Sequence, residues 1–123
     1  MTTATDQSLR AFLKPYTAKS DLRGGVSFAG TLMVYAAALV GAGLLAGQGA
    51  WLLAAPLVLV LAFATVRLYV LQHDCGHNSL FATRWLNDVA GHVLSVFSLT
   101  PFRVMQYNHN LHHAYLGNLD HRE

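Results

Sequence analysis

Charge is scarce in this 123-residue chain: Asp, Glu, Lys and Arg together make up 11% of it, against about 25% in a typical soluble domain. Combined with 54% hydrophobic residues, that scarcity argues against an ordinary water-soluble globule and for a membrane protein. Cysteine is nearly absent. With Cys75 alone, no internal disulfide can form, and sites built on several thiolates, such as structural zinc or iron–sulfur clusters, lack their donors. A free thiol suits a reducing compartment, and a small packing residue is its expected role.

Charge is missing altogether from two long apolar runs, Val26–Gly47 and Ala50–Val66. Each approaches the roughly 20 residues that cross a bilayer as helix. The second lengthens if it continues through Arg67 to Leu71, since a long basic side chain near a membrane boundary can snorkel to the interface. That extension delivers His73 to the membrane surface. Only Gly47-Gln48-Gly49 separates the runs, so two antiparallel helices are expected, with both open ends on one side. Arg10, Lys14, Lys19 and Arg23 precede the first helix and the tight loop has no Lys or Arg. The positive-inside tendency therefore places the N-terminus and everything after the second helix in the cytoplasm. A secretory signal does not fit, because the first apolar run is too long and starts after some 25 mixed residues. Small residues such as Gly30, Ala38, Gly41 and Ala42 let a neighbouring helix approach. Pro56 is a little too deep for the first turn of the second helix and is expected to kink it.

The fold expected is all-α: a cytoplasmic segment at residues 1–25, a transmembrane helical hairpin at 26–72, and a cytoplasmic or interfacial metal-binding segment at 73–123. Within the last segment, Asn78–Asp88 reads as a polar and aromatic connection. Val89–Leu99 is too short to span and reads as an interfacial or re-entrant helix ended by Thr100-Pro101. Arg103–Tyr115 reads as one cytoplasmic helix, with Gly117-Asn118 as its stop.

Five of the seven histidines fall in two clusters, His73-Asp74-Cys75-Gly76-His77 and His109-Asn110-Leu111-His112-His113. On a helix of about 3.6 residues per turn, i, i+3 and i+4 spacing gathers imidazoles on a common side, so each cluster is half of a metal site formed by His73, His77, His109, His112 and His113. Imidazole suits zinc, copper, iron and nickel. Five nitrogens exceed what one tetrahedral zinc takes, which favours two metals with open positions. The remaining pair is read differently. His92, isolated in the short apolar segment, is expected to be a buried or interfacial structural residue, and His121 to be solvated in the tail with Asp120. Asp74 is a possible hydrogen-bond partner of His73.

His-Asp-Cys-Gly-His after a long apolar helix, then His-Asn-Leu-His-His about thirty residues on, resembles the first two histidine boxes of the membrane fatty acid desaturases, most closely the acyl-lipid desaturases of omega-6 type. The likeness runs from Leu71 to Asp120 and includes Asn78–Phe81 and Leu99-Thr100-Pro101-Phe102. It implies a di-iron centre held by histidines from three boxes, an acyl-lipid substrate, dioxygen as oxidant, a ferredoxin or haem electron donor, and a cis double bond as product. No nucleic acid is expected among the partners. The family's third box has no match here, so the resemblance makes this chain an N-terminal portion that is expected to be inactive alone. A related lipid or carotenoid hydroxylase or ketolase, and a non-catalytic metal-binding membrane hairpin, are the alternative readings.

Overall fold

The structure, a computed structural model, describes residues 4–15 and 17–115. Among them every regular element is helical: α1 Ala4–Leu13, α2 Asp21–Gly47, α3 Trp51–Gly76, α4 Arg84–Ser98 and α5 Phe102–Tyr115. α3 is the hub and packs against α2, α4 and α5. The first helix was not foreseen from the sequence, whose first 25 residues read only as a mixed segment.

α2 and α3 are each long and apolar enough to cross a membrane. At a rise of about 1.5 Å per residue each extends roughly 40 Å, beyond the roughly 30 Å of a hydrocarbon core. α2 starts five residues before the apolar run does. Ser20 caps it by accepting from the Arg23 amide at 3.4 Å, and Asp21 sits in its first turn, so a polar turn extends a helix that hydropathy alone begins at Val26. At the other end, Gly49 takes φ +74, a left-handed conformation that glycine adopts without strain. Its amide and that of Ala50 bond back to the Ala46 and Leu45 carbonyls at 3.0 and 2.9 Å. Those bonds close α2 and turn the chain into α3. Hydroxyls inside the apolar helices are satisfied locally, Thr31 and Thr65 donating to the Ser27 and Leu61 carbonyls at 2.7 and 2.8 Å. α3 is continuous through Pro56.

Most of the α2–α3 surface is bare, with Leu52 91% and Phe63 75% exposed. The core lies elsewhere. Leu68, Leu71 and Cys75 of α3 bury against Phe81, Ala90, Leu94, Phe102 and Met105, which fixes α4 and α5 on the C-terminal end of α3. Cys75 is thus a packing residue. Phe102 lies directly over Gly91, where an added Cβ would come within 2.5 Å of its ring.

α4 begins at Arg84, not near Val89, so Arg84–Asp88 belongs to a helix where the sequence suggests a connection. Two side chains that carry no hydropathy signal define this start. Buried Asn87 accepts from the Phe81 amide at 3.0 Å and donates to the Phe81 and Thr83 carbonyls at 3.0 and 3.1 Å. Asp21 of α2 accepts from both the amide and the hydroxyl of Thr83, at 2.9 and 2.7 Å. α5 starts one residue before Arg103, and its expected stop at Gly117-Asn118 lies outside the described residues, as do Asp120 and His121.

Candidate metal centre

The last turn of α3 carries His73 and Asp74, and His77 is its C-cap. The helix ends there because Asn78 adopts φ 54, a left-handed conformation that asparagine tolerates better than most residues. The Asn78 amide bonds to the Cys75 carbonyl and the Ser79 amide to the Asp74 carbonyl, each at 2.9 Å. The Asn78 carbonyl in turn accepts from Lys19 Nζ at 2.7 Å. The backbone on either side of His77 is therefore held.

α5 is brought to this end by its attachment to α3. Gln72, fully buried beside His73, donates to the Ser95 hydroxyl at 3.0 Å and the Thr100 carbonyl at 2.7 Å, and accepts from the Ser98 hydroxyl at 2.6 Å. These bonds pin the turn at Leu99, whose φ of 54 is a strained conformation for a residue with a bulky side chain. One turn into α5, Gln106 donates to the Gly76 carbonyl at 3.0 Å, and Met105 packs over Gly76. Neither glutamine stood out in the sequence. The available signal was a polar residue at position 72 inside an otherwise apolar stretch of α3.

The result is a convergence of ring nitrogens. Nε2 of His109 lies 2.9 Å from Nε2 of His73, 2.8 Å from Nε2 of His77 and 2.9 Å from Nε2 of His113. A neutral imidazole has one N–H and one lone pair, so a single His109 nitrogen cannot satisfy three such neighbours by hydrogen bonding. A shared cation can. Ligand atoms of His73, His77 and His109 fall within 4.8 Å of one another, and this all-imidazole donor set fits a transition metal. His112 stands at the margin, its ring stacked on His109 with centroids 6.1 Å apart. Asp74 Oδ1 is 3.5 Å from His73 Nδ1, a long contact that favours a proton on Nδ1 and leaves the Nε2 lone pair directed into the cluster.

His77 and His109 are both held below the ordinary histidine value, first by burial and next by the neighbouring imidazoles. Both causes favour the neutral form, the one that binds metal. His92, expected to be a buried or interfacial structural residue, is not buried; it donates from Nδ1 to the Asp88 carbonyl at 2.7 Å and packs on Phe102.

A family model described as fatty acid desaturase matches residues 49–123. The chain belongs to the fatty acid desaturase family. The matched segment takes in α3, α4 and α5 and both histidine clusters. Among individual relatives, the sn-1 oleoyl-lipid 12-desaturase of Picosynechococcus sp. is 32% identical over 72% of this chain and 26% of its own length. The sn-1 acyl-lipid omega-3 desaturase (ferredoxin) of Nostoc sp. is 41% identical over 46% of this chain and 16% of its own. A Delta(9) fatty acid conjugase-like enzyme of Dimorphotheca sinuata is 39% identical over 46% of this chain and 15% of its own. The chain thus spans about a quarter or less of these desaturase relatives. No solved structure matches it significantly.

Proposed function

We propose that this chain is the N-terminal portion of a membrane desaturase that introduces a cis double bond into the acyl chain of a lipid, with dioxygen as oxidant and ferredoxin or a haem protein as electron donor. The observation that carries the reading is the meeting of four Nε2 atoms, from His73, His77, His109 and His113, at the end of two apolar helices. In this reading residues 26–72 form a transmembrane hairpin, residues 1–25 and 73–123 lie on the cytoplasmic side, and α4 rests at the interface. The basic residues Arg10, Lys14, Lys19 and Arg23 ahead of α2 support that orientation.

His73, His77, His109, His112 and His113 would hold two iron ions together with ligands from outside this chain. The bound metal supplies the redox chemistry that no side chain offers, since an unactivated carbon–hydrogen bond is too strong for an acid or base. The overall reaction balances when two hydrogens leave the acyl chain, two electrons come from the donor, two protons come from solvent, and dioxygen becomes two waters. The chain's own residues act by position. Gln72 and Gln106 keep the two clusters facing each other, Asp74 orients His73, and the apolar flanks of α2 and α3 keep the site against the lipid that contains the substrate.

The relatives named as 12-desaturase, omega-3 desaturase and conjugase-like enzyme are each 32–41% identical to part of this chain, so the reading extends to acyl-chain desaturation as a class and not to one bond position. The test is elemental analysis of the detergent-purified chain beside a version extended through the adjoining reading frame. Two irons per extended protein and little in the short one is the expected result; no iron in either overturns the reading in favour of a structural hairpin.

A further inference from the structure

We propose that the α2–α3 pair carries a seat for an anionic phospholipid, with Arg67 as the headgroup ligand and the groove beside Gly30 as the bed of one acyl chain. Arg67 is the single charged residue between Trp51 and His73. Its guanidinium reaches across to α2 and donates to the Ser27 hydroxyl at 3.1 Å, and among the described residues no carboxylate pairs with it. A guanidinium has five N–H donors in a planar fork that matches phosphate oxygens two at a time. The Ser27 bond occupies one of them, so donors remain for an oxyanion.

Arg67 stands at one end of a groove of about 380 Å³ whose other walls are Gly30, Thr31, Val34, Val60, Phe63 and Ala64. Apart from the Thr31 hydroxyl, already bonded within its own helix, the groove offers nothing polar to a ligand. Nothing lies within 4 Å of where a Gly30 Cβ would be, so the missing side chain leaves space along the helix. The depth is suitable as well. Arg67 follows Trp51, a residue suited to the far interface, by about 24 Å of helix, so in a hydrocarbon core of about 30 Å it sits near the histidine-side boundary where lipid phosphates begin. A cation at phosphate depth above an open apolar channel complements a glycerophospholipid in both charge and shape. The seat involves none of the histidines and is independent of the metal centre.

The test is electron spin resonance of the chain in phosphatidylcholine vesicles, comparing the association of spin-labelled phosphatidylglycerol with that of spin-labelled phosphatidylcholine. The expected result is a preference for phosphatidylglycerol that falls by about fivefold in Arg67→Gln, the factor one basic residue supplies at an anionic surface. A comparable fall is expected in Gly30→Leu, which fills the groove and leaves the charge in place. Preference retained in either variant overturns the proposal, whether basic residues of the N-terminal segment or a neighbouring helix in the groove accounts for it. Should Arg67→Gln lose helicity, Arg67→Lys reads the same contact: a partial fall, from a fork reduced to a point charge, supports the seat, and an unchanged preference overturns it.

Discussion

The two ends of α3 live under different rules. From Trp51 to about Phe63 its large side chains are mostly bare, and the partner that covers them must be as apolar as they are. From Ala64 to Cys75 one face of the same helix is packed in the manner of a soluble protein, with Leu68, Leu71, Gln72 and Cys75 all at 1% exposure or less. Buried polar atoms there are fully satisfied among the described residues. One half of the molecule leaves its apolar side chains uncovered and the other is held by its own core. The candidate metal centre is built where the second regime ends.

The largest effect that separates the regimes comes from a pair of phenylalanines. Phe102→Ala removes a fully buried ring from over Gly91 and should cost about 3–5 kcal/mol. Phe63→Ala, on the bare flank, should stay within about 0.5 kcal/mol. Reversible unfolding of both variants in the same detergent checks this, and equal losses would break the comparison.

Next comes the cluster. His109 is the nitrogen that the other three approach, and losing a ligand should exceed the 10- to 100-fold loss of metal affinity that is roughly typical of removing an outer-shell partner. Titration of zinc into the chain should therefore show a drop of more than about 100-fold for His109→Ala, with helix content unchanged. His112→Ala, at the margin of the convergence, should lose less. The reverse order would show that the two clusters meet on a different axis from the one their nitrogens mark.

How much of this was legible beforehand follows the same division. Apolar runs revealed α2 and α3 because they are long and unbroken, and i, i+3, i+4 spacing revealed the histidine face of α5 because it matches the helical period. The polar first turns, Asp21–Gly25 and Arg84–Asp88, were invisible to hydropathy, which marks contact with an apolar medium and not the extent of a helix. The left-handed Asn78 and Leu99 and the clamps made by Gln72 and Asn87 were equally hidden. Gln72 and Asn87 act through partners 4 to 28 residues away in the chain, and no local pattern reports them.

Gln72 gives the third prediction. Gln72→Leu keeps much of the volume but takes the acceptor from the Ser98 hydroxyl and a donor from the Thr100 carbonyl, while the Ser95 hydroxyl keeps its bond to the Gly91 carbonyl. The expected loss is about 1–3 kcal/mol, smaller than that of Phe102→Ala. If the glutamine positions α5 as well as stabilising it, zinc affinity falls together with stability. A variant that is destabilised yet binds zinc normally would assign the placement of α5 to Met105 and Gln106 alone.

The smallest effect is expected at Asp74, and it tests whether the centre needs polar support beyond its packing. The contact with His73 is long at 3.5 Å, and the two side chains are 36% and 40% exposed, so solvent screens most of the attraction. Asp74→Asn removes the charge without changing the size. It also leaves untouched the Asp74 backbone carbonyl, which accepts from Ser79, so the α3 cap survives and any change belongs to the carboxylate. Zinc affinity should fall by no more than about tenfold, the lower bound for a partner that orients a ligating histidine. A larger fall would mean that the metal-bound state draws Asp74 closer to His73 than this structure shows. No change at all would mean that packing of α5 against α3 orients His73 unaided, and that the soluble-like half of the molecule extends into the metal centre itself.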